Sequence, residues 1–115
     1  WLASLREAAG VIGNSSSGLL EAPTFRVGTV NIGARQDGRL RASSVIDTPC
    51  DRKAIAAAIA QLASPAFRAT VATTVNPYGD GGAAARIVDV LETVPLQGLL
   101  QKTFVDLPVP MAVHA

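Results

Sequence analysis

Val11-Ile12-Gly13-Asn14-Ser15-Ser16-Ser17-Gly18-Leu19-Leu20-Glu21 sets the fold class. Two β-branched residues run straight into a turn of small polar residues, and the turn opens a short apolar segment at helical spacing. A strand, a tight polar turn and a helix start make the first half of a parallel β-α unit. Upstream, Leu2, Leu5 and Ala8-Ala9 repeat helically, which predicts a helix over 2–9 closed by Gly10. Downstream, Leu19, Leu20, Ala22 and Phe25 predict a helix over about 17–24, ended early or kinked by Pro23.

Thr29-Val30-Asn31-Ile32 is β-branched and compact and predicts a buried strand. Residues 33–41 are polar, with Arg35, Arg39 and Arg41, and read as a surface loop. Ser44–Asp47 predicts a third strand, closed off by Pro49. Asp51 is placed to cap a helix over 52–63 bearing an Ile55, Ile59, Leu62 stripe. Ser64-Pro65 restarts a helix over 65–72. Asn76 to Gly82 reads as a turn, with Asp80 as cap, opening a helix over 82–93 whose Ile87, Val88 and Leu91 face inward. Pro95, Pro108 and Pro110 mark loop, short helix and tail. The expected architecture is α/β, with three short parallel strands forming the trailing part of a larger doubly wound sheet.

A chain of 115 residues holds one domain at most. The net charge of +1 and an aromatic content of 4% leave no basic, aromatic-interleaved surface for nucleic acid. The single cysteine, Cys50, excludes an intrachain disulfide and a multi-cysteine zinc site. No metal and no cofactor are expected, and the cysteine usage fits a reducing, cytoplasmic setting. No apolar run reaches the roughly 18 residues of a membrane helix, and no signal peptide is recognisable. The chain opens on Trp1 within a helical pattern, so it is expected to be a piece of a longer protein. An apolar content of 49% fits well-buried strands or an uncovered face. A partial sheet of this kind exposes an edge, and association or a homo-oligomer is expected.

Chemistry concentrates between Val11 and Arg41. Unpaired backbone N–H groups where a strand turns into a helix favour an anion, and the hydroxyls of Ser15, Ser16 and Ser17 add donors. Ligands of open α/β sheets sit at the carboxyl ends of strands, where this turn lies. Taken alone, the residues favour an ordinary N-cap turn at Ser15–Ser17 and a solvent-facing Glu21. They leave Arg35 and Arg39 open between a phosphate contact and solvated loop charges. Neither a dinucleotide fingerprint nor a Walker loop is present. Gly13-x-Ser15-x-Ser17 lacks the last glycine of a nucleophile elbow, and the lone histidine, His114, is penultimate, which argues against a Ser–His pair. Cys50 and Tyr78 receive no functional role.

Three segments in this order resemble UDP-N-acetylglucosamine 2-epimerases. They are Gly13-Asn14-Ser15-Ser16-Ser17-Gly18-Leu19-Leu20-Glu21-Ala22-Pro23, Asn31-Ile32-Gly33-Ala34-Arg35-Gln36-Asp37-Gly38-Arg39 and Asn76-Pro77-Tyr78-Gly79-Asp80-Gly81. The middle segment is similar to the hydrolysing branch, which feeds sialic or legionaminic acid pathways; the non-hydrolysing branch typically carries Arg-Pro-Glu there. Family members often have Gly and Pro where this chain has Arg26 and Gly28, a difference expected to alter the turn more than the ligand site.

The resemblance implies a two-lobed fold of the glycosyltransferase-B type. Residues 1–107 would form the C-terminal part of the UDP-binding lobe, and 108–115 a tail. It further implies phosphate contacts from Ser15 and Ser16, a ribose contact from Glu21 and a nucleotide contact from Arg35. The acid and base carboxylates belong to the N-terminal lobe, which this chain lacks. No catalytic residue is therefore expected here, and no turnover from the chain alone. The implied partners are a UDP-sugar and that missing lobe, without nucleic acid or membrane. The alternatives are a non-hydrolysing epimerase, a glycosyltransferase of the same fold and a non-catalytic nucleotide-binding module.

Overall fold

The computed structural model describes residues 1–98, 100, 104 and 105. The short helix expected in the last twenty residues, the tail 108–115 and His114 lie outside the described residues. The chain divides into two compact units, Trp1–Asp80 and Gly81–Ala115.

The first unit holds a three-stranded parallel sheet in the order β1-β2-β3, formed by Val11–Gly13, Thr29–Ile32 and Val45–Thr48. Val11 pairs with Thr29 and Gly13 with Asn31; Thr29 pairs with Val45 and Asn31 with Asp47. Successive side chains alternate between faces, so Thr29, Asn31 and Asp47 share one face and Val30 takes the other. Val30 and Thr29 are both buried, as expected of a strand covered on two sides. Ile12 of the edge strand β1 remains 51% exposed, in line with an uncovered part of the sheet.

The helices are α1 (Leu2–Glu7), α2 (Ser17–Leu20), α3 (Arg52–Ala63) and α4 (Pro65–Ala72). The helix begun at Ser17 is short because Pro23 cannot continue an α-helical ladder. The chain passes instead into a 3-10 turn over Ala22–Phe25 and reverses at Arg26, whose φ of 54° is left-handed. Leu5, Ala22 and Val27 form a buried core, joined by Ala8, Val11 and Phe25. Local chemistry sets α3 and α4. The Asp51 carboxylate accepts from the N–H groups of Lys53 and Ala54, and Ser64 Oγ accepts from the Phe67 N–H. The break at Ser64-Pro65 bends the pair by 67°, and no single described helix is long and apolar enough to cross a membrane. Gly10 and Gly28 let α3 approach closely: a Cβ on either would lie 2.6 Å from a Leu62 methyl.

The second unit contains α5 (Ala83–Thr93). Two expectations fail here. Ile87, Val88 and Leu91 do not face inward but are 57%, 49% and 67% exposed, and no residue of α5 is buried. A period of 3.6 residues gives a helix an apolar side; it does not supply the surface that covers it. Nor does Asp80 cap the helix. Gly81 and Gly82 take left-handed conformations and push the start to Ala83, so Gly82 is the N-cap and no side chain caps it.

Candidate functional site

All four residues expected to hold UDP lie in the first unit. Ser15 and Ser16 follow the carboxyl end of β1, and Arg35 follows that of β2, the neighbouring parallel strand. Parallel strands in register end on the same sheet edge, so the two loops emerge side by side. A buried side chain joins them. Gln36 is 3% exposed and donates from Nε2 to the Asn14 carbonyl at 2.7 Å. The residue beside Arg35 is thus fastened to the residue before Ser15.

The serine turn divides its work. Ser15 Oγ accepts from the Ser17 N–H at 3.3 Å, a local turn-closing bond. Ser16 is the N-cap of α2 by position, yet its side chain makes no capping bond. The Ser16 carbonyl accepts from Leu19 and Leu20, and among the described residues the N–H groups of Ser15 and Ser16 donate to no protein acceptor. The Ser15 hydroxyl is therefore committed to the turn, while the Ser16 hydroxyl and two backbone donors are left available.

Glu21 is half-buried at the C-cap of α2. Its carboxylate accepts from Trp1 Nε1 at 2.5 Å, so it does not simply face solvent. Close packing sets the position of α2. Thr29 Oγ1 of β2 donates to the Gly18 carbonyl at 2.9 Å, and a Cβ at Gly18 would lie 2.6 Å from Thr29 Cγ2.

The three loop arginines differ. Arg41 is bound: Nε donates to Asp47 at 2.6 Å, one terminal nitrogen to Asp37 at 3.3 Å and the other to the Arg39 carbonyl at 2.7 Å. The hydrogen bond to Asp47 raises the Arg41 pKa above its ordinary value, with charge attraction to Asp47 and Asp37 adding to it and desolvation opposing. Asp47 also accepts from Asn31 Nδ2 at 2.7 Å, so β2, β3 and the loop share one network. Arg35 and Arg39 are exposed, and neither side chain makes a hydrogen bond or ion pair among the described residues. Arg41 thus orders the loop, and Arg35 and Arg39 are its available cations.

A cleft of about 460 Å³ lies beside this edge, lined by Gly33, Ala34, Asp37, Arg41, Asp47, Thr48, Pro49 and Cys50. Another, of about 490 Å³, lies away from it, between Ala8-Ala9, Arg26–Gly28, Leu62 and α4. Ser15, Ser16, Glu21 and Arg35 line neither. No cluster of His, Cys, Asp and Glu suited to a metal occurs among the described residues.

Comparison with known proteins shows the family. A family described as UDP-N-acetylglucosamine 2-epimerase matches residues 1–92. The chain belongs to the UDP-N-acetylglucosamine 2-epimerase family. Among its relatives is the polysialic acid biosynthesis protein P7 of Escherichia coli, 38% identical over 109 residues, which cover 94% of this chain and 28% of that protein. The UDP-N,N'-diacetylbacillosamine 2-epimerase (hydrolyzing) of Legionella pneumophila is 38% identical over 87 residues, covering 75% of this chain and 22% of that one. The GDP/UDP-N,N'-diacetylbacillosamine 2-epimerase (hydrolyzing) of Campylobacter jejuni is 37% identical over 108 residues, covering 93% and 28%. The chain thus matches between 22% and 28% of the length of these relatives.

Reading the sequence missed the tethers. Gln36 sits in a polar arginine-rich loop and looks like a solvent residue. Asn76 and Tyr78 sit in a Pro/Gly turn, yet both bond to distant backbone. Their one sequence signal is that each lies within a segment resembling the family.

Proposed function

We propose that this chain is the UDP-holding part of a hydrolysing 2-epimerase that converts UDP-N-acetylglucosamine to N-acetylmannosamine and UDP. The observation that carries the reading is the Gln36–Asn14 hydrogen bond, which seats the serine turn and the arginine loop together at one strand-end edge. Family membership and the hydrolysing relatives support the reaction class. In the proposed site, Ser15, Ser16 and their N–H groups hold the diphosphate, Arg35 approaches it and Glu21 accepts from the ribose hydroxyls.

The reaction belongs to the whole protein. A base from the other lobe of a glycosyltransferase-B-type fold removes the C2 proton, the C1–O bond to UDP breaks and a 2-acetamidoglucal forms. Water then adds across the new double bond with inversion at C2. This chain contributes fixed donors and a cation for the charge that develops on the departing diphosphate. The 115-residue chain alone is therefore expected to show no turnover.

Product analysis of the full-length protein tests this. Free UDP with N-acetylmannosamine is the expected result. UDP-N-acetylmannosamine without free UDP would assign it to the non-hydrolysing branch. Because two relatives are named for diacetylbacillosamine, the UDP-linked form of that sugar is run in parallel, and a strong preference for it would change the substrate while keeping the reaction.

A further inference from the structure

The segment Asn76-Pro77-Tyr78 is left unexplained by the ligand contacts assigned above, although it is one of the three stretches that mark the family. The structure shows where its side chains go. Asn76 Nδ2 donates to the Leu20 carbonyl at 2.8 Å and to Thr24 Oγ1 at 2.7 Å. Asn76 Oδ1 accepts from the Tyr78 N–H at 3.0 Å, closing an Asx turn. Tyr78 OH donates to the Leu40 carbonyl at 3.1 Å. Two residues before Asn76, Thr74 shares a hydroxyl hydrogen bond of 2.9 Å with Ser43.

These bonds link two places that matter. Leu20 is the last residue of α2 and precedes Glu21. Leu40 closes the loop that carries Arg35 and Arg39. A four-residue helix cannot satisfy its own last carbonyls, and here side chains from other elements do so: Thr29 serves Gly18, and Asn76 serves Leu20. The Asx turn uses the remaining oxygen of Asn76 and aims Tyr78 toward Leu40. We propose that Thr74–Tyr78 is a strap that sets the Glu21 end of α2 against the arginine loop, with Asn76 as a positioning residue for nucleotide binding. The inference rests on Glu21 and Arg35 being nucleotide contacts.

Asn76→Asp separates the strap from the turn. The carboxylate keeps an acceptor for the Tyr78 N–H but puts an oxygen where Nδ2 donates to Leu20. In the full-length protein, titration with UDP is expected to show about tenfold weaker binding, the scale of one or two misplaced hydrogen bonds. KM for the UDP-sugar should rise with kcat changing less, because a misaligned nucleotide loses binding common to ground and transition states. Tyr78→Phe should give a smaller change in the same direction. Ser64→Ala removes the α4 cap and lowers stability away from the strap, so it controls for loss of stability alone.

Wild-type UDP affinity in Asn76→Asp, with weakened binding in Glu21→Ala and Arg35→Ala, would overturn the strap and leave the site. Equal losses of affinity in Asn76→Asp and Ser64→Ala at matched Tm would reduce the strap to a stability element and also overturn it. Wild-type binding in Glu21→Ala and Arg35→Ala would refute the nucleotide site and the strap's role together.

Discussion

Gly18→Ala tests how α2 is held on the sheet. Gly18 is buried, and the new Cβ would lie 2.6 Å from Thr29 Cγ2 and 3.4 Å from its Oγ1. Thr29 cannot turn away at no cost. Cγ2 and Oγ1 share one side-chain torsion, and Oγ1 is committed to the Gly18 carbonyl. Either α2 lifts from β2 or the hydrogen bond is given up. Overpacking of this kind costs about 1–3 kcal/mol, and the better helix propensity of alanine returns at most about 1 kcal/mol. The net expectation is a loss of about 1–2 kcal/mol.

The partner change is Thr29→Ser, which deletes Cγ2 and keeps the hydroxyl. Alone it should cost about 0.8 kcal/mol for the lost buried methyl. Together the two should be no less stable than Thr29→Ser alone, giving a favourable coupling of about 1–2 kcal/mol. Urea unfolding of the four proteins, followed by far-UV circular dichroism, measures that coupling. Simple additivity would refute the steric account. UDP titration of the same set should place Gly18→Ala among the weak binders and the double variant near Thr29→Ser, since α2 carries Ser17 to Leu20 and leads into Glu21.

Other substitutions check separate parts of the structure. Arg26→Gly removes a side chain from a left-handed position and should stabilise the chain by about 1 kcal/mol, read as a higher urea midpoint. Asp51→Ala deletes the α3 cap, which accepts two backbone N–H bonds, and should cost about 1 kcal/mol with UDP affinity unchanged. Gln36→Ala removes a buried side chain and its bond to the Asn14 carbonyl, so it should cost about 0.5–1.5 kcal/mol and weaken UDP binding in the same titration.

Caps, breaks and strand cores were legible because they depend on neighbours a few residues away. Asp51 caps as expected, the helix restarts at Pro65, β2 occupies Thr29–Ile32, and Pro23 cuts the α-helix short. Strand β3 begins one residue later than expected, at Val45 rather than Ser44. Ser44 is fully buried and lends its carbonyl to Thr29, a long-range bond that no local pattern records. The helix over 82–93 was legible as a helix, but its inward face was not, because covering an apolar stripe depends on a second surface.

At the candidate site, the sequence by itself determined the ingredients: a strand that runs into a Ser/Gly turn, and a loop of arginines after the next strand. Residue type and short spacing suffice for both, since backbone preference and turn chemistry act locally. The tertiary structure alone decided their arrangement. Gln36 reaches Asn14 across 22 positions and Asn76 reaches Leu20 across 56. Arg41, identical in kind to Arg35 and Arg39, is committed to Asp47 and Asp37. A polar side chain carries no mark of which distant carbonyl it will meet; packing brings the partner, and burial makes leaving it unmet costly.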